Sequence, residues 1–248
     1  MALRKIVYKP YFGSGKIYAR PYGSAAALAE IGNCAGLEFA VDEDNKKQRD
    51  YTKAGGGTYA QVILINSMQC TIQANDLNPL NLARSLFGSA DSVVAGSAVD
   101  EAHTAYKSGL IRLANPNPSA VVLTNVGATV TYVAGTDYEV RPEGIYILEA
   151  GAIVDATPVL ADYSYAAYDV VQALTTGAPE LELSFGGLNE ADSGNPVLVD
   201  AFRVKLGAAK KLGFIGTDFA ALEIAGEVLK DSTKSGIGIS QYMRIQMV

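Results

Sequence analysis

The chain has 248 residues, 49% of them apolar, and a formal net charge of −6. That length suits one large domain or two small ones, and the apolar content excludes disorder. The acidic balance argues against a dedicated nucleic-acid binder held by counterion release, and no stretch approaches the ~18 consecutive apolar residues of a membrane-spanning helix.

Residues 1–20 carry Arg4, Lys5, Lys9, Lys16 and Arg20 and no acid, and they lack the apolar core of a secretory signal. The run FGSGKIY (12–18) is half of a phosphate-binding loop. The full pattern wants Gly where Pro10 stands and a hydroxyl where Ile17 stands, so nucleotide binding is set aside. Residues 13–15 read instead as a turn into a strand, KIYAR. SAAALAE (24–30) offers a short helix.

DEDNKKQRDYTKAGGGTY (42–59) holds four acids, four bases and three consecutive glycines between two strand patterns. It lacks the apolar content to pack, so it is expected as a long exposed loop or a projecting hairpin. Long ordered loops are commonly functional. Its candidate interaction residues are Asp44, Lys46, Lys47, Arg49, Asp50, Tyr51, Lys53, Gly55, Gly56 and Gly57. QVILINSMQCTIQA (61–74) then alternates: Val62, Leu64, Met68, Cys70, Ile72 and Ala74 share one parity. That predicts a half-buried strand, long enough to require a bulge or bend near Asn66.

One helix stands out over 79–87. Asn78 is a good N-cap and Pro79 suits the first helical position. Leu80, Ala83, Leu86 and Phe87 make an apolar stripe, Leu82 lies within the helix, and Gly88 supplies a left-handed stop. Residues 106–170 hold short strands separated by Asn-Pro, Gly and Pro signals, the pattern of a small inserted β-sandwich. The parent domain would be 1–105 with 171–248, and its later strands are ELELSF, VLVDAFRVKL, ALEIAGEVL and QYMRIQMV. In AFRVKL, Phe202, Val204 and Leu206 alternate with Arg203 and Lys205, one dry face and one wet. The fold class is mainly β with one flanking α-helix.

Chemistry is nearly absent from the pattern. The single histidine, His103, follows Asp100 and Glu101, but that spacing is common by chance and suits a solvated helix or loop tip. DEDN (42–45) resembles part of a calcium loop, yet Lys47 and Lys53 stand where Gly and Glu are needed. Glu180 and Glu182 share a strand face without a tryptophan platform for sugar. Cys34 and Cys70 are either reduced buried thiols or a disulfide. No catalytic, cofactor or metal site is expected. Residues 137–200 carry twelve acids against one base. With the basic start, this suggests self-complementary association or simply two solvated surfaces.

Five segments in order resemble the major tail tube proteins of tailed bacteriophages, most closely those of long-tailed siphophages. They are GSGKIYARPYG, EIGNCAGLEF (30–39), RDYTKAGGGTYAQVILI (49–65), LNPLNLARSLFGS (77–89) and LGFIGTDFAALEIAGEVLKDST (212–233). The resemblance implies a tail-tube-type β-sandwich or partial barrel flanked by the helix of Pro79, Leu80, Leu82, Ala83, Leu86 and Phe87. Six copies would close a ring, and stacked rings would form a tube in the virion tail, assembled in the host bacterial cytoplasm. DNA and the tape-measure protein would pass through the lumen, DNA only in transit. Tail terminator and distal tail or baseplate proteins would be further partners. The 42–59 segment would seat on the neighbouring ring, the arm with Arg4, Lys5 and Lys9 on an adjacent subunit, and the insertion on the tube exterior. The alternatives are another virion structural protein, such as a decoration or tail-tip protein, a carbohydrate-binding surface module, or an enzyme.

Overall fold

The computed structural model describes residues 8–217 and 221–248; Arg4 and Lys5 lie outside the described residues. In chain order the elements are β1 (Gly13–Pro21), β2 (Ala29–Glu30), β3 (Cys34–Arg49), β4 (Thr58–Ala74), α1 (Pro79–Ser85), β5 (Ser89–Val93), β6 (Gly96–Ala105), β7 (Leu110–Arg112) and β8 (Ser119–Asn125). Then follow β9 (Thr131–Tyr132), β10 (Tyr138–Arg141), β11 (Gly144–Ile147), β12 (Thr157–Tyr165), β13 (Tyr168–Gln172), β14 (Glu180–Asn189), β15 (Asn195–Leu206), β16 (Leu222–Val228) and β17 (Met243–Met247). The fold is mainly β, with one α-helix among the described residues.

The chain forms two compact units: a body, Met1–Ala90 with Val171–Val248, and an insertion, Asp91–Val170. The body is one sheet in the order β2-β1-β14-β15-β16-β4-β3, with β17 also on β15. Its core gathers Ile17, Ala19, Ile72, Leu181, Leu183, Val204, Leu222 and Ile224. These residues alternate with polar neighbours along their strands, as one dry face requires.

The insertion is a small sandwich. A four-stranded sheet, β6-β12-β8-β9, faces a three-stranded one, β10-β11-β7. Leu123, Val159 and Ala161 from the first sheet share a core with Ile111, Tyr138, Ile145 and Ile147 from the second. Buried Tyr138 satisfies its hydroxyl by donating to the Val121 carbonyl at 3.0 Å. The insertion begins at 91 rather than at the expected 106, because β6 is laddered to β12 from Gly96↔Tyr165 to Ala105↔Thr157. The strands that enter and leave it, β5 and β13, pair with each other.

Four local expectations are overturned. Residues 13–15 are not a turn but the start of β1; a Cβ on Gly15 would come within 2.5 Å of the Gly186 oxygen and Gly187 Cα, so glycine serves close strand approach. Residues 24–30 hold no helix, and Ala29–Glu30 pair with β1. The helix stop is not at Gly88: Phe87 takes the left-handed conformation at φ 51°, and the Gly88 N–H donates to the Ala83 carbonyl at 2.8 Å. Along β15 a bulge opposite Leu181 and Leu183 breaks the alternation, so Ala201 joins Val204 and Leu206 in the core while Phe202 is only half-buried.

Candidate functional site

The longest element is the β3–β4 hairpin, paired from Cys34↔Ala74 out to Arg49↔Thr58. Only its base belongs to a wider sheet, because β16 covers β4 from Gln69 to Ala74 and stops. Beyond that point, among the described residues, the two strands pair with each other alone. The 42–59 segment is therefore the projecting-hairpin alternative: Asp44, Lys46, Lys47 and Arg49 are strand residues, and Asp50 to Gly57 are its tip.

The expected irregularity lies at Asn66. Asp42 pairs with Ser67 and Glu43 with Ile65, leaving Asn66 as the extra residue, its amide on the Asp42 carboxylate at 3.3 Å. One extra residue shifts the side-chain phase by one. Val41 opposes Met68 and Glu43 opposes Ile65, so Ile63 and Ile65, not Val62 and Leu64, continue the face of Met68, Cys70 and Ile72. The sequence parity is thus right only up to the bulge. Past it both faces are open among the described residues: Val62 is 56% exposed, Ile63 52%, Leu64 48% and Ile65 62%. The arm has an aliphatic strand and a charged strand, with Val62 beside Lys46 and Leu64 beside Asp44.

The tip is tied locally. The Asp50 carboxylate accepts from the Thr52 N–H at 2.8 Å and its hydroxyl at 2.5 Å, and these bonds hold it below the usual carboxylate range. The Asp50 N–H donates to the Gly57 carbonyl at 2.8 Å, and Arg49 Nε to the Gly56 carbonyl at 3.2 Å. Gly55 stands at φ +80°, a conformation glycine adopts freely. Tyr51 and Lys53 project into solvent.

Several strand edges in the body are open among the described residues, including the outer edge of β3, the end strand of the sheet. Another is the aliphatic half of β4, residues 58–67. A third is β17, which pairs only with β15 and exposes Ile245 and Met247. A fourth is β1 before Tyr18, since β2 reaches only Tyr18 and Ala19. β16 and β17 follow one another along the same edge of β15, at Val204–Leu206 and Val197–Ala201. The arm of β4 runs past the end of β16 without laddering to β17, so the sheet forks there. The fork was invisible in the sequence, where β16 and β17 look like ordinary strands.

The other predicted segments are placed as follows. Lys9 pairs with Asp192 of its own body at 2.5 Å, and the Phe12 N–H donates to Asn189 Oδ1 at 3.0 Å. The described part of the basic arm is therefore fastened to its own chain, not left projecting. In α1, Asn78 caps by accepting from the Asn81 N–H at 2.8 Å, with Pro79 in the first turn. The apolar stripe is buried only at Ala83, beside Asn81 and Ser85; Leu82, Leu86 and Phe87 are half-buried, and Leu80 is exposed. Asn81 takes the inward position because its amide donates to the Ile31 carbonyl at 2.6 Å. Both cysteines are free; Cys34 is half-buried, and burial pushes the Cys70 thiol up to about 12.

His103 is on β6, not on a helix or loop tip, and lies 2.8 Å from Glu101. Burial works against the Glu101 charge, but Tyr163, the Ala114 N–H and His103 together hold its pKa below the usual range. Glu180 and Glu182 are each occupied by an arginine, Arg203 at 2.8 Å and Arg20 at 2.6 Å, which suits them to sheet cross-bracing.

What this geometry offers chemically is a row of backbone donors and acceptors flanked by aliphatic side chains. Such an edge binds another strand. The family of proteins of unknown function UCP028589 matches residues 10–246. The chain belongs to this family. No curated protein matches it. In this UCP028589 member no described helix is long and apolar enough to cross a membrane. No described group of three or more His, Cys, Asp or Glu residues is arranged to hold a metal ion.

Proposed function

We propose that this protein is a structural subunit that polymerises with itself, and that its assembly is a phage tail tube. The observation that carries the reading is the arm: four consecutive aliphatic residues, Val62–Ile65, exposed on a strand whose outer edge has no partner among the described residues. An isolated two-stranded ribbon is marginal in water. A long apolar open edge invites aggregation unless a specific partner covers it. Identical copies supply that partner, since each also carries the open edges of β1 and β17.

In this reading copies close into rings, hexameric in the resemblance that motivates it, and rings stack. The lumen would pass DNA and the tape-measure protein, while terminator and baseplate proteins would cap the ends. The protein would act in the virion tail and catalyse nothing.

The test is electron microscopy of the purified protein across salt and concentration, beside an arm-trimmed variant. The ladder shows how to trim: remove residues 43–66 and join Asp42 to Ser67, which already face each other, through an Asn-Gly turn. The wild type should form rings or tubes. The trimmed protein should stay a folded monomer. Trimmed protein that still makes tubes sinks the role of the arm, and a wild type that never assembles sinks the reading.

A further inference from the structure

Helix α1 is fastened to the body on one side. Asn78 and Asn81 both donate to the Ile31 carbonyl, at 3.3 and 2.6 Å. Leu80 and Arg84 lie one turn apart and so share a different face. Leu80 is 47% exposed there, and Leu77, just before the cap, is 36% exposed.

Arg84 stands apart from the other described arginines. Arg20, Arg49, Arg112, Arg141, Arg203 and Arg244 each donate to an oxygen. Arg84 Nη1 is buried without any hydrogen-bond partner, the one such side-chain atom among the described residues. Burial draws its pKa down, yet a guanidinium does not lose its proton in a protein. A guanidinium left partly buried and unpaired is destabilising; Arg84 as a whole is only half-buried, so a carboxylate, whose fork matches it, can approach from outside.

We propose that Arg84 is a socket for a carboxylate from a second copy of this chain, delivered by the acid run Asp42, Glu43 and Asp44 at the root of that copy's arm. Two complementarities favour this occupant. The first is charge: among the described residues Glu43 has no partner, Asp42 holds only the Asn66 amide, and Asp44 meets Lys46 of its own strand. The second is apolar surface. Glu43 sits opposite Ile65 in the ladder, so an acid entering the socket brings an exposed aliphatic residue with it. Leu80, one turn before Arg84 on the helix, is exposed to receive it.

This inference rests on self-assembly and names one contact within it. The experiment uses full-length Arg84→Met, Arg84→Glu and the pair Arg84→Glu with Glu43→Arg. Arg84→Met should melt at or above the wild-type temperature as a monomer, because the group it removes had no partner. Its critical concentration for assembly should rise about a hundredfold, the scale of removing one member of a buried charge pair. Arg84→Glu should assemble no better, and adding Glu43→Arg should recover at least about tenfold of the loss. Normal assembly of Arg84→Met overturns the socket while leaving the tube reading intact. So does a fall of several degrees in its melting temperature, which would reveal a partner within the chain, or a charge swap without recovery. A wild type that assembles under no condition removes both.

Discussion

Near its base the β3–β4 hairpin buries Cys70, Ile72 and Ala74 against the body core; further out the same two strands hold Val62–Ile65 in solvent. The pairing register is continuous apart from bulges, and residue types on β4 are equally apolar in both halves. What differs is the third strand: β16 ladders the base and ends. Apolar strand residues are stabilising only where something covers them; on the self-assembly proposed above, another copy supplies that cover for the distal half.

The largest expected effect breaks the hairpin into its halves. Ile72→Ala should cost about 2–5 kcal/mol in denaturant unfolding of the monomer, the range for truncating a buried isoleucine. Ile63→Ala, nine residues away and on the same face because of the bulge, should change monomer stability by no more than about 0.5 kcal/mol, while weakening self-association. A large stability loss at Ile63 would mean the arm is already covered within one chain.

A second contrast uses a motif that occurs twice. Asp231 accepts from the Thr233 N–H at 2.9 Å and its hydroxyl at 2.7 Å, the same arrangement as Asp50 with Thr52 at the tip. Asp231 also accepts from the Tyr22 hydroxyl at 3.0 Å and is only 3% exposed. Asp231→Ala should cost about 1–3 kcal/mol by leaving buried donors unpaired, whereas Asp50→Ala at the exposed tip should leave the urea midpoint nearly unchanged. The Thr233 hydroxyl bond, opposed by desolvation, holds the Asp231 carboxyl below its ordinary value. Its contribution is therefore present above the unfolded pKa of about 4 and lost as pH falls through the folded one. Urea midpoints of wild type and Asp231→Asn should converge as the solution is acidified through that window.

The smallest effect separates neighbouring glycines of the tip. Gly55→Ala should destabilise by about 1 kcal/mol because its φ is +80°. Gly57 has an ordinary φ and nothing within 4 Å of a Cβ placed there. Gly57→Ala should therefore shift stability by no more than about 0.5 kcal/mol, read by the same titrations.

Much of the fold was legible because strand periodicity is a short-range signal. Elements such as β14 and β16 fall where alternation placed them, and the Asn78–Pro79 start of α1 follows from capping chemistry alone. The misreadings share a cause. The bulge beside Phe202, the shift of phase at Asn66 and the inward turn of Asn81 are set by partners far along the chain. The helix expected over 24–30 lost to pairing with β1. The candidate site was half legible: charge and glycines marked 42–59 as projecting, but alternation suggested that Val62 and Leu64 were buried. Only the end of the β16 ladder reveals that they are not. Neither the fork nor Arg84 leaves a trace in local pattern.

The pairing of β5 with β13 has a consequence for how such a chain diversifies. Entry and exit of the insertion are held side by side, and the module brings its own core. Compact guests with adjacent ends are tolerated at such junctions. Recombination could therefore trade this sandwich for an unrelated passenger without retuning the host sheet, and an engineer could graft a reporter or an epitope at the same doorway.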